Sequence, residues 1–318
     1  MLFLRLGAIG DTTLLLPTLL GVLDNQPSIE LHVIVWSSNI SVYNLIHSPR
    51  LFLHNLGSYR SLLGLWNLFK FSIKERGHFD VVFDMEQFAN LFAIVGLILR
   101  PRCLIGFDVK GQSRKEYYGK TVLYDSNIHE SLNFLSMVHA VFPEARMFHD
   151  PPKRELNPAD FIAIHPGSKW PQKRWPMERF VGIFKKIHLQ YPLIKIRLYM
   201  GPDELLSEET IPDYVERSIQ TPLERVFDEL SQCRLMISND NGIMHVAGWM
   251  GIPVIGIFGM SDPIQWHALG NENNALSPSL DCAPCNKLGQ MRKCNDFKCL
   301  KNISIDDVMR KVVGILGD

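Results

Sequence analysis

The segment from Met236 to Pro263 constrains the fold most strongly. Its sequence, MISNDNGIMHVAGWMGIPVIGIFGMSDP, predicts the end of a buried strand, a turn, a short helix of small residues and a second strand, Val254–Phe258. Both strand runs are apolar without alternation, which is typical of a parallel sheet covered on both faces. The turn at residues 239–242 therefore lies between a strand and a helix, where open α/β sheets bind ligands and the helix dipole favours an anion.

The polar residues of this turn favour an anion site over a plain strand-to-helix connection. Asp240, Asn241 and Gly242 form the turn, and His245 lies three residues beyond Gly242, on the same side of the helix start. A plain connection would require Gly242 but not the combination Asp-Asn-Gly-x-x-His. We therefore predict that these four residues bind a group such as a phosphate.

Length and composition predict a two-domain enzyme that does not bind nucleic acid. A chain of 318 residues exceeds the size at which single cores stop growing. The net charge is zero, which argues against broad nucleic-acid binding. No signal peptide is evident, and the longest apolar run, Phe88–Leu99, is too short to span a bilayer. We expect a cytoplasmic protein with reduced cysteines.

Strand and helix patterns alternate in both halves, which predicts two parallel-sheet domains, residues 1–150 and 151–318. The best linker is the proline-rich, polar segment His149–Pro158. In the first half we predict the helix Thr12–Leu23 and the strands Leu2–Leu6, Leu31–Trp36, Val81–Asp84 and Cys103–Gly106. In the second half we predict the helices Met177–Tyr191 and Ile305–Leu316 and the strands Phe161–His165, Ile196–Met200, Leu235–Ser238 and Val254–Phe258.

A second candidate ligand loop follows the first strand. In the turn Gly7–Asp11, the glycines, Gly10 among them, allow the backbone to approach a ligand, and Asp11 sits next to the helix start. Asp11 is equally compatible with a simple N-cap that does no chemistry. Both interpretations remain open.

A third junction follows the strand Phe161–His165. Gly167 and Ser168 come first, and then a loop with two lysines, an arginine and two tryptophans, among them Lys173 and Trp175. Basic side chains at a helix start suit a diphosphate, and a tryptophan suits a sugar or base face. The alternative is a solvated basic loop in which Trp175 is a packing anchor.

Together, these three loops resemble the hallmark motifs of bacterial heptosyltransferases, glycosyltransferase family 9. The motifs are GAIGD, HPGSKWPQKRWPMERF and SNDNGIMHVAGWMGIPVIGIFGMSDP, and the segments FDVVFDMEQ and RPRCLIGFD also resemble that family. The resemblance implies the GT-B architecture, an α/β fold of two Rossmann-like parallel-sheet domains that face each other across a cleft. It implies an acceptor-side N-terminal domain and a C-terminal domain that binds the donor, usually ADP-heptose.

The resemblance also implies roles for individual residues. Asp11 corresponds to the general base, and Lys173 to the lysine that contacts the donor diphosphate. A nucleoside contact falls near Asp203 or Glu204. The remaining predicted donor-binding residues are Gly10, Gly167, Ser168, Asp240, Asn241, Gly242 and His245.

The expected chemistry is a metal-independent, inverting sugar transfer. Such an enzyme needs a base for the acceptor hydroxyl and positive charge at the leaving diphosphate. The chain has no Asp-x-Asp pair to hold a catalytic metal, so Lys173 and the helix starts would supply that charge. We expect no cofactor to be required for catalysis.

Four cysteines form a separate constellation, Cys282, Cys285, Cys294 and Cys299. In a reducing compartment their spacing suits a structural zinc or iron better than disulfides. Free thiols are the alternative, and the two remain open.

The acceptor is the least defined partner. The expected acceptor is the lipopolysaccharide inner core. A protein hydroxyl is the runner-up, and a non-catalytic scaffold is the rival from a different class. Lys110, Arg114, Lys115 and Lys120 could receive an anionic acceptor or form an ordinary solvated loop. Leu62–Ile73 could dock on the inner face of the inner membrane, but we favour a buried helix.

Overall fold

The computed structural model describes residues 1–148, 161–201, 211–287, 290–291 and 294–317. The linker predicted at residues 149–158 and the candidate nucleoside contacts Asp203 and Glu204 lie outside these ranges. The chain forms two compact units, Met1–Asp150 and Pro151–Asp318.

The first unit alternates strands and helices from its first residues. Its elements are β1 Leu2–Leu4, α1 Ile9–Asn25, β2 Leu31–Val35, α2 Ile40–Tyr43, β3 Leu51–Asn55, α3 Leu62–Lys74, β4 Val81–Asp84, α4 Leu91–Leu99, β5 Cys103–Asp108, β6 Lys120–Leu123 and α5 Glu130–His139.

The strands of the first unit form one parallel sheet in the order β3-β2-β1-β4-β5-β6. In the register, Phe3 pairs with Val33 on one side and with Phe83 on the other. The strand order reverses between β1 and β4. In such a sheet, ligands bind outside the carboxyl ends of the strands at this reversal. Residues that follow β1 and β4 are therefore the ones to examine for chemistry.

Helices cover both faces of this sheet. Helix α1 packs against α2 and α5, and α3 packs beside α4. Leu68 of α3 and Phe92 of α4 belong to a hydrophobic core cluster with Leu2 and Leu4 of β1. Helices α3 and α4 therefore share one face of the sheet.

The second unit repeats this arrangement and adds a small ribbon. Its elements are β7 Phe161–His165, α6 Met177–Gln190, β8 Lys195–Met200, β9 Val215–Ile219, α7 Leu223–Leu230, β10 Cys233–Asn239, α8 Gly242–Trp249, β11 Val254–Ile257, α9 Pro263–Trp266, β12 Ala275–Leu276, β13 Asn286–Lys287, β14 Gln290–Met291, α10 Lys298–Lys301 and α11 Ile305–Leu316.

Its six-stranded parallel sheet has the order β12-β11-β10-β7-β8-β9, and β13 pairs with β14 in an antiparallel ribbon. The order reverses between β10 and β7, so their carboxyl ends define the second candidate ligand edge. Met236 pairs with Ala163 and with Val254, and every residue of these three strands is buried except the half-buried Arg234. Continuous burial explains why their sequences show no polar alternation.

Trp175 anchors the segment between β7 and α6 in the hydrophobic core of the second unit. Its ring is 2% exposed and meets Phe180 edge to face, with ring centroids 5.0 Å apart. Its indole Nε1 donates a hydrogen bond to the carbonyl of Ile303, just before α11 (3.0 Å). The packing-anchor interpretation of Trp175 is therefore correct. Helix α11 packs against α6 and β11 within its own unit.

Helix α3 differs from the buried helix that we favoured. It forms over nearly the predicted residues, but only Gly64, Leu68 and Ser72 are buried. Its opposite side exposes large apolar residues to solvent. Among the described residues, no helix is both long and apolar enough to cross a membrane.

Candidate functional site

Three loops meet at the carboxyl edge of the second sheet. They follow the adjacent strands β7, β10 and β11 and comprise residues 166–168, 240–241 and 258–262. Parallel neighbours end at the same edge of a sheet, so the loops that the sequence singled out are brought together.

A partly buried ion pair lies at the centre of this edge, with the Asp240 side chain 5% exposed and the Lys173 side chain 19% exposed. The Lys173 ammonium donates a hydrogen bond to Oδ2 of Asp240 (2.5 Å), and the His245 Nε2 lies 3.9 Å from the other carboxylate oxygen, Oδ1. Burial by itself would raise the pKa of Asp240, but Lys173 and His245 lower it below its ordinary value. Asp240 is therefore a carboxylate in the folded protein, and it fixes the position of the lysine.

Asn241 joins two of the loops. Its side-chain oxygen accepts a hydrogen bond from the backbone N–H of Met244 (3.1 Å) and so caps α8. Its amide nitrogen donates to the carbonyl of Gly167 (2.9 Å) and to the Ser238 hydroxyl (2.9 Å). The Asn241 side chain is thus committed to holding the loop. What this position offers a ligand is the first turn of α8, whose N–H groups lack helical partners.

Further hydrogen bonds link these loops to one another. The Ser168 hydroxyl donates to the carbonyl of Asp240 (3.2 Å), and Arg174 Nε donates to the carbonyl of Ser168 (2.8 Å). Asn239 accepts a hydrogen bond from the backbone N–H of Trp175 (3.1 Å) and donates to the carbonyl of Pro166. These loops are therefore held in place by hydrogen bonds within the protein itself.

The loop after β11 adds a residue that the sequence did not single out. Ser261 is 1% exposed. Its hydroxyl lies beside the Asp240 carboxylate, and after Lys173 and His245 it contributes to the lowered pKa of Asp240. Its only sequence signal was its place just after a buried strand.

At the edge of the first sheet, Asp11 does not cap its helix. Helix α1 begins at Ile9, with Ala8 at the N-cap and no side-chain cap, so Gly10 and Asp11 lie inside the first turn. The N-cap interpretation of Asp11 is wrong, because the helix starts earlier than the glycines suggested. Instead, Oδ1 of Asp11 accepts a hydrogen bond from the Arg5 guanidinium (2.9 Å).

Arg5 is the centre of this first-sheet cluster. Arg5 follows β1 directly, and its side chain is 4% exposed. Its guanidinium donates hydrogen bonds to the backbone carbonyl of Met85 and to the side-chain oxygen of Gln87 (3.0 Å). Burial alone would lower the pKa of Arg5, but the carboxylates of Glu86, Asp11 and Glu130 raise it above its ordinary value. Arg5 is therefore a fixed cation.

Asp11 keeps one oxygen for other chemistry. The side chain is 27% exposed, and its Oδ2 accepts no hydrogen bond from any residue that the structure describes. The nearby Glu86 is engaged differently: its Oε1 accepts a hydrogen bond from the backbone N–H of Leu6 (2.7 Å). Asp11 is the better-placed acceptor for a proton from a ligand.

Arg114 is not part of a solvated basic loop. It is 3% exposed and donates to Oδ2 of Asp84 (2.7 Å) and to the carbonyl of Glu86 (2.8 Å). The Tyr118 hydroxyl donates to the same Asp84 oxygen (2.7 Å). Burial raises the pKa of Asp84 to about 6, although Arg114 and Tyr118 oppose the rise. Arg114 therefore stabilises the carboxyl edge of the first sheet from a buried position.

The four cysteines lie near one another in the second unit, in a segment that is hydrogen-bonded to the loop after β11. Burial and the proximity of Cys285, Cys294 and Cys282 raise the pKa of the Cys299 thiol. None of the four forms a disulfide, and among the described residues no group of three or more Cys, His, Asp or Glu is arranged to hold a metal. The backbone N–H of Cys285 donates to the carbonyl of Met260 (3.0 Å), next to Ser261.

Comparison with known proteins gives one family. Residues 127–295 match the family described as glycosyltransferase family 9 (heptosyltransferase). Among curated proteins, the lipooligosaccharide heptosyltransferase 2 of Campylobacter jejuni is 22% identical, over 97% of this chain and 95% of its own length.

Solved structures agree on the architecture. E. coli heptosyltransferase WaaC, solved with ADP, matches with a TM-score of 0.74 and 15% identity over 98% of each chain. The iron-containing, dodecameric heptosyltransferase TibC of E. coli, solved with ADP-D-β-D-heptose, matches with a TM-score of 0.63 and 13% identity. That match covers 99% of this chain and 75% of TibC. These likenesses show the fold, and the predicted GT-B class of two Rossmann-like units is confirmed.

Proposed function

The chain belongs to glycosyltransferase family 9, the heptosyltransferases, and from that premise we propose that it transfers heptose from ADP-heptose to an acceptor in the lipopolysaccharide inner core. The transfer is inverting and requires no metal for catalysis. The observation that carries the proposal is the partly buried Lys173–Asp240 pair at the carboxyl edge of the second sheet, beside the first turn of α8.

The second unit binds the donor in this proposal. Lys173 uses one of its three N–H donors on Asp240, which leaves two for the diphosphate oxygens. The N–H groups at the start of α8 add the positive end of the helix dipole. As the bond between the anomeric carbon and the diphosphate breaks, negative charge grows on the leaving oxygen, and these groups stabilise it.

The first unit supplies the base. Oδ2 of Asp11 takes the proton of the acceptor hydroxyl while that oxygen forms its bond to the anomeric carbon and ADP departs. Arg5 holds Oδ1 and fixes the direction of the carboxylate. Asp11 is thus a catalytic residue, and Arg5 positions it.

The choice of acceptor rests on the named relatives. The lipooligosaccharide heptosyltransferase 2 of Campylobacter jejuni is 22% identical over 97% of this chain, and the lipopolysaccharide core heptosyltransferase OpsX of Haemophilus influenzae is 23% identical over 86% of it. These relatives favour a lipopolysaccharide acceptor over a protein hydroxyl. We also propose a cytoplasmic protein that works at the inner face of the inner membrane. For its four-cysteine loop, a structural zinc or iron and free thiols remain the two alternatives.

Product analysis tests this proposal. The purified protein is incubated with ADP-heptose and either Kdo-bearing lipid A or an unstructured serine-rich peptide, and the products are weighed by mass spectrometry. We expect one added heptose on the lipid acceptor together with released ADP. Heptose on the peptide alone would support the protein-modifying alternative. ADP binding without turnover on any acceptor would support the scaffold.

A further inference from the structure

Helix α3 is apolar on two opposite sides. Gly64, Leu68 and Ser72 face the core of the first unit. The other side exposes Leu62 (87%) and Trp66 (51%), and further large apolar residues follow at the same helical spacing. A surface helix of a soluble protein normally has a polar outer side, so this second apolar stripe is unusual.

The neighbouring helix extends the same surface. Helix α4 packs beside α3 and has no charged residue in its sequence, LFAIVGLIL. We call the combined surface the α3–α4 face. It consists of the exposed residues Leu62, Leu63, Leu65, Trp66, Phe69, Ile73, Ile94 and Leu97. Clustered apolar surface of this kind indicates a binding surface rather than scattered exposure.

The border of the α3–α4 face is basic. The Lys70 ammonium lies over the Trp66 ring, 5.3 Å from its centroid. Along this border, four exposed cations make no ion pair with a described carboxylate, and they are Arg60, Lys70, Arg76 and Arg100. The two carboxylates along this border, Glu75 and Asp80, are each already paired, with Lys74 and Arg102 respectively.

This composition decides between two occupants. A second copy of the chain would bring the same face against itself in a two-fold dimer, and its unpaired cations would meet like charges. An anionic bilayer instead provides hydrocarbon for the apolar stripe, a headgroup layer for Trp66 and phosphates for the long basic side chains.

We propose that the α3–α4 face docks the protein on an anionic lipid bilayer. Helix α3 lies in the plane of the membrane surface, with Trp66 and Phe69 at the boundary between headgroups and acyl chains. The docking stands on the exposed face alone. Its purpose, which is to bring the first unit to a lipid-anchored acceptor, rests on the proposed function.

Vesicle co-sedimentation tests the docking. The intact protein is mixed with vesicles of phosphatidylethanolamine and phosphatidylglycerol, and in parallel with vesicles of phosphatidylcholine alone. We expect binding to the anionic vesicles that weakens with salt, and much weaker binding to the neutral ones. Equal binding to both kinds, or binding to neither, would overturn the proposal.

A double variant identifies the surface. Trp66→Ser with Phe69→Ser should reduce partitioning onto anionic vesicles by about tenfold to a hundredfold, since two large apolar side chains lose their burial. The matched control is Leu189→Ser with Leu193→Ser, two highly exposed leucines of the second unit, which should bind like the parent. Unchanged binding of the first variant would contradict the assignment.

Two further readouts separate this proposal from its rivals. Sedimentation velocity without lipid should give a monomer for the parent protein. A dimer that the Trp66→Ser, Phe69→Ser variant abolishes would assign the face to a second copy and overturn the docking. Turnover on a detergent-free, deacylated acceptor should be equal in variant and parent. Failure of that turnover in both would count against the proposed function, and leave the vesicle result unaffected.

Discussion

At the carboxyl edge of the second sheet, the site consists of three short loops, and side-chain hydrogen bonds join two of them, residues 166–168 and 240–241, to each other. At the edge of the first sheet, the buried Arg5 lies among carboxylates from three separate segments, Asp11, Glu86 and Glu130. Asn241 and Ser168 fasten the first arrangement, whereas Arg5 organises the second. A fixed frame suits recognition of a constant diphosphate, and a single carboxylate held at one oxygen suits proton transfer. This comparison underlies our proposal that the edge of the second sheet binds the donor and the edge of the first sheet supplies the base.

The largest effect should come from removing the base at the first edge. Asp11→Asn keeps the size of the side chain but cannot accept a proton, and loss of general-base catalysis typically costs about 10²–10⁴ in rate. Turnover with saturating ADP-heptose should fall by that amount while the melting temperature stays near that of the parent. Asp24→Asn, in the exposed part of the same helix, is the control and should be fully active. An Asp11→Asn enzyme with more than about a tenth of parental turnover would remove Asp11 from the chemistry.

A smaller loss should follow when the positioning residue changes. Arg5→Lys keeps the buried positive charge but cannot bind Asp11 and Gln87 at once with the geometry of a guanidinium. We expect kcat to fall between about tenfold and 10²-fold, as misplaced catalytic groups do, with the Kd for ADP unchanged. Arg5→Met should be worse, because it leaves buried carboxylates unpaired.

The contrary result for Arg5 has a specific form. A purely structural arginine would lower the melting temperature in Arg5→Lys without changing kcat at temperatures where the protein is folded. Equal kcat in the folded Arg5→Lys and parental enzymes would therefore refute the positioning role.

The second edge should respond in stability before it responds in rate. Asn241→Asp keeps the oxygen that caps α8 but cannot donate to the carbonyl of Gly167. Losing that partly buried hydrogen bond should lower the free energy of unfolding by about 1–2 kcal/mol, measured by urea denaturation. The control is Asp262→Asn, which keeps the exposed cap of α9 and should be nearly neutral. Equal stability of Asn241→Asp and the parent protein would mean that this hydrogen bond does not hold the two loops together in solution.

The smallest effect on turnover is expected from the four-cysteine loop. If Cys282, Cys285, Cys294 and Cys299 hold a structural metal, elemental analysis should find about one zinc or iron per chain. Cys282→Ser with Cys285→Ser should then release the metal and lower the melting temperature, with little change in kcat. A metal-free protein with full activity and four titratable thiols in this loop would reject the metal.

The sequence predicts elements and residues that lie within one contiguous segment. It does not predict those that depend on contacts between distant segments. Val81–Asp84, Phe161–His165 and Ile305–Leu316 were predicted with the bounds that the structure has, because apolar runs and turn residues delimit them. The strands Leu51–Asn55, Lys120–Leu123 and Val215–Ile219 were missed, because each carries polar or partly exposed residues near a sheet edge.

The same distinction explains the site. The sequence singles out Lys173 and Asp240 because each lies in a contiguous motif, and the structure pairs them. It gives no sign of Arg5, because a lone arginine after an apolar run carries no local trace of the carboxylates that surround it. It presents Arg114 as a surface cation because the partner of Arg114, Asp84, lies thirty residues away in the chain. Tertiary pairing of this kind cannot be read from spacing.

The division between binding and chemistry is tested most directly by calorimetric titration of ADP in the presence of EDTA into the parent and two variants. We predict that Asp11→Asn binds ADP like the parent, whereas Lys173→Met loses about 1.5–3 kcal/mol of binding free energy, as expected for a charge-assisted contact. Lys169→Met removes an exposed lysine of the same loop and should bind normally. Normal binding by Lys173→Met, or binding in any of the proteins only after magnesium is added, would contradict the account.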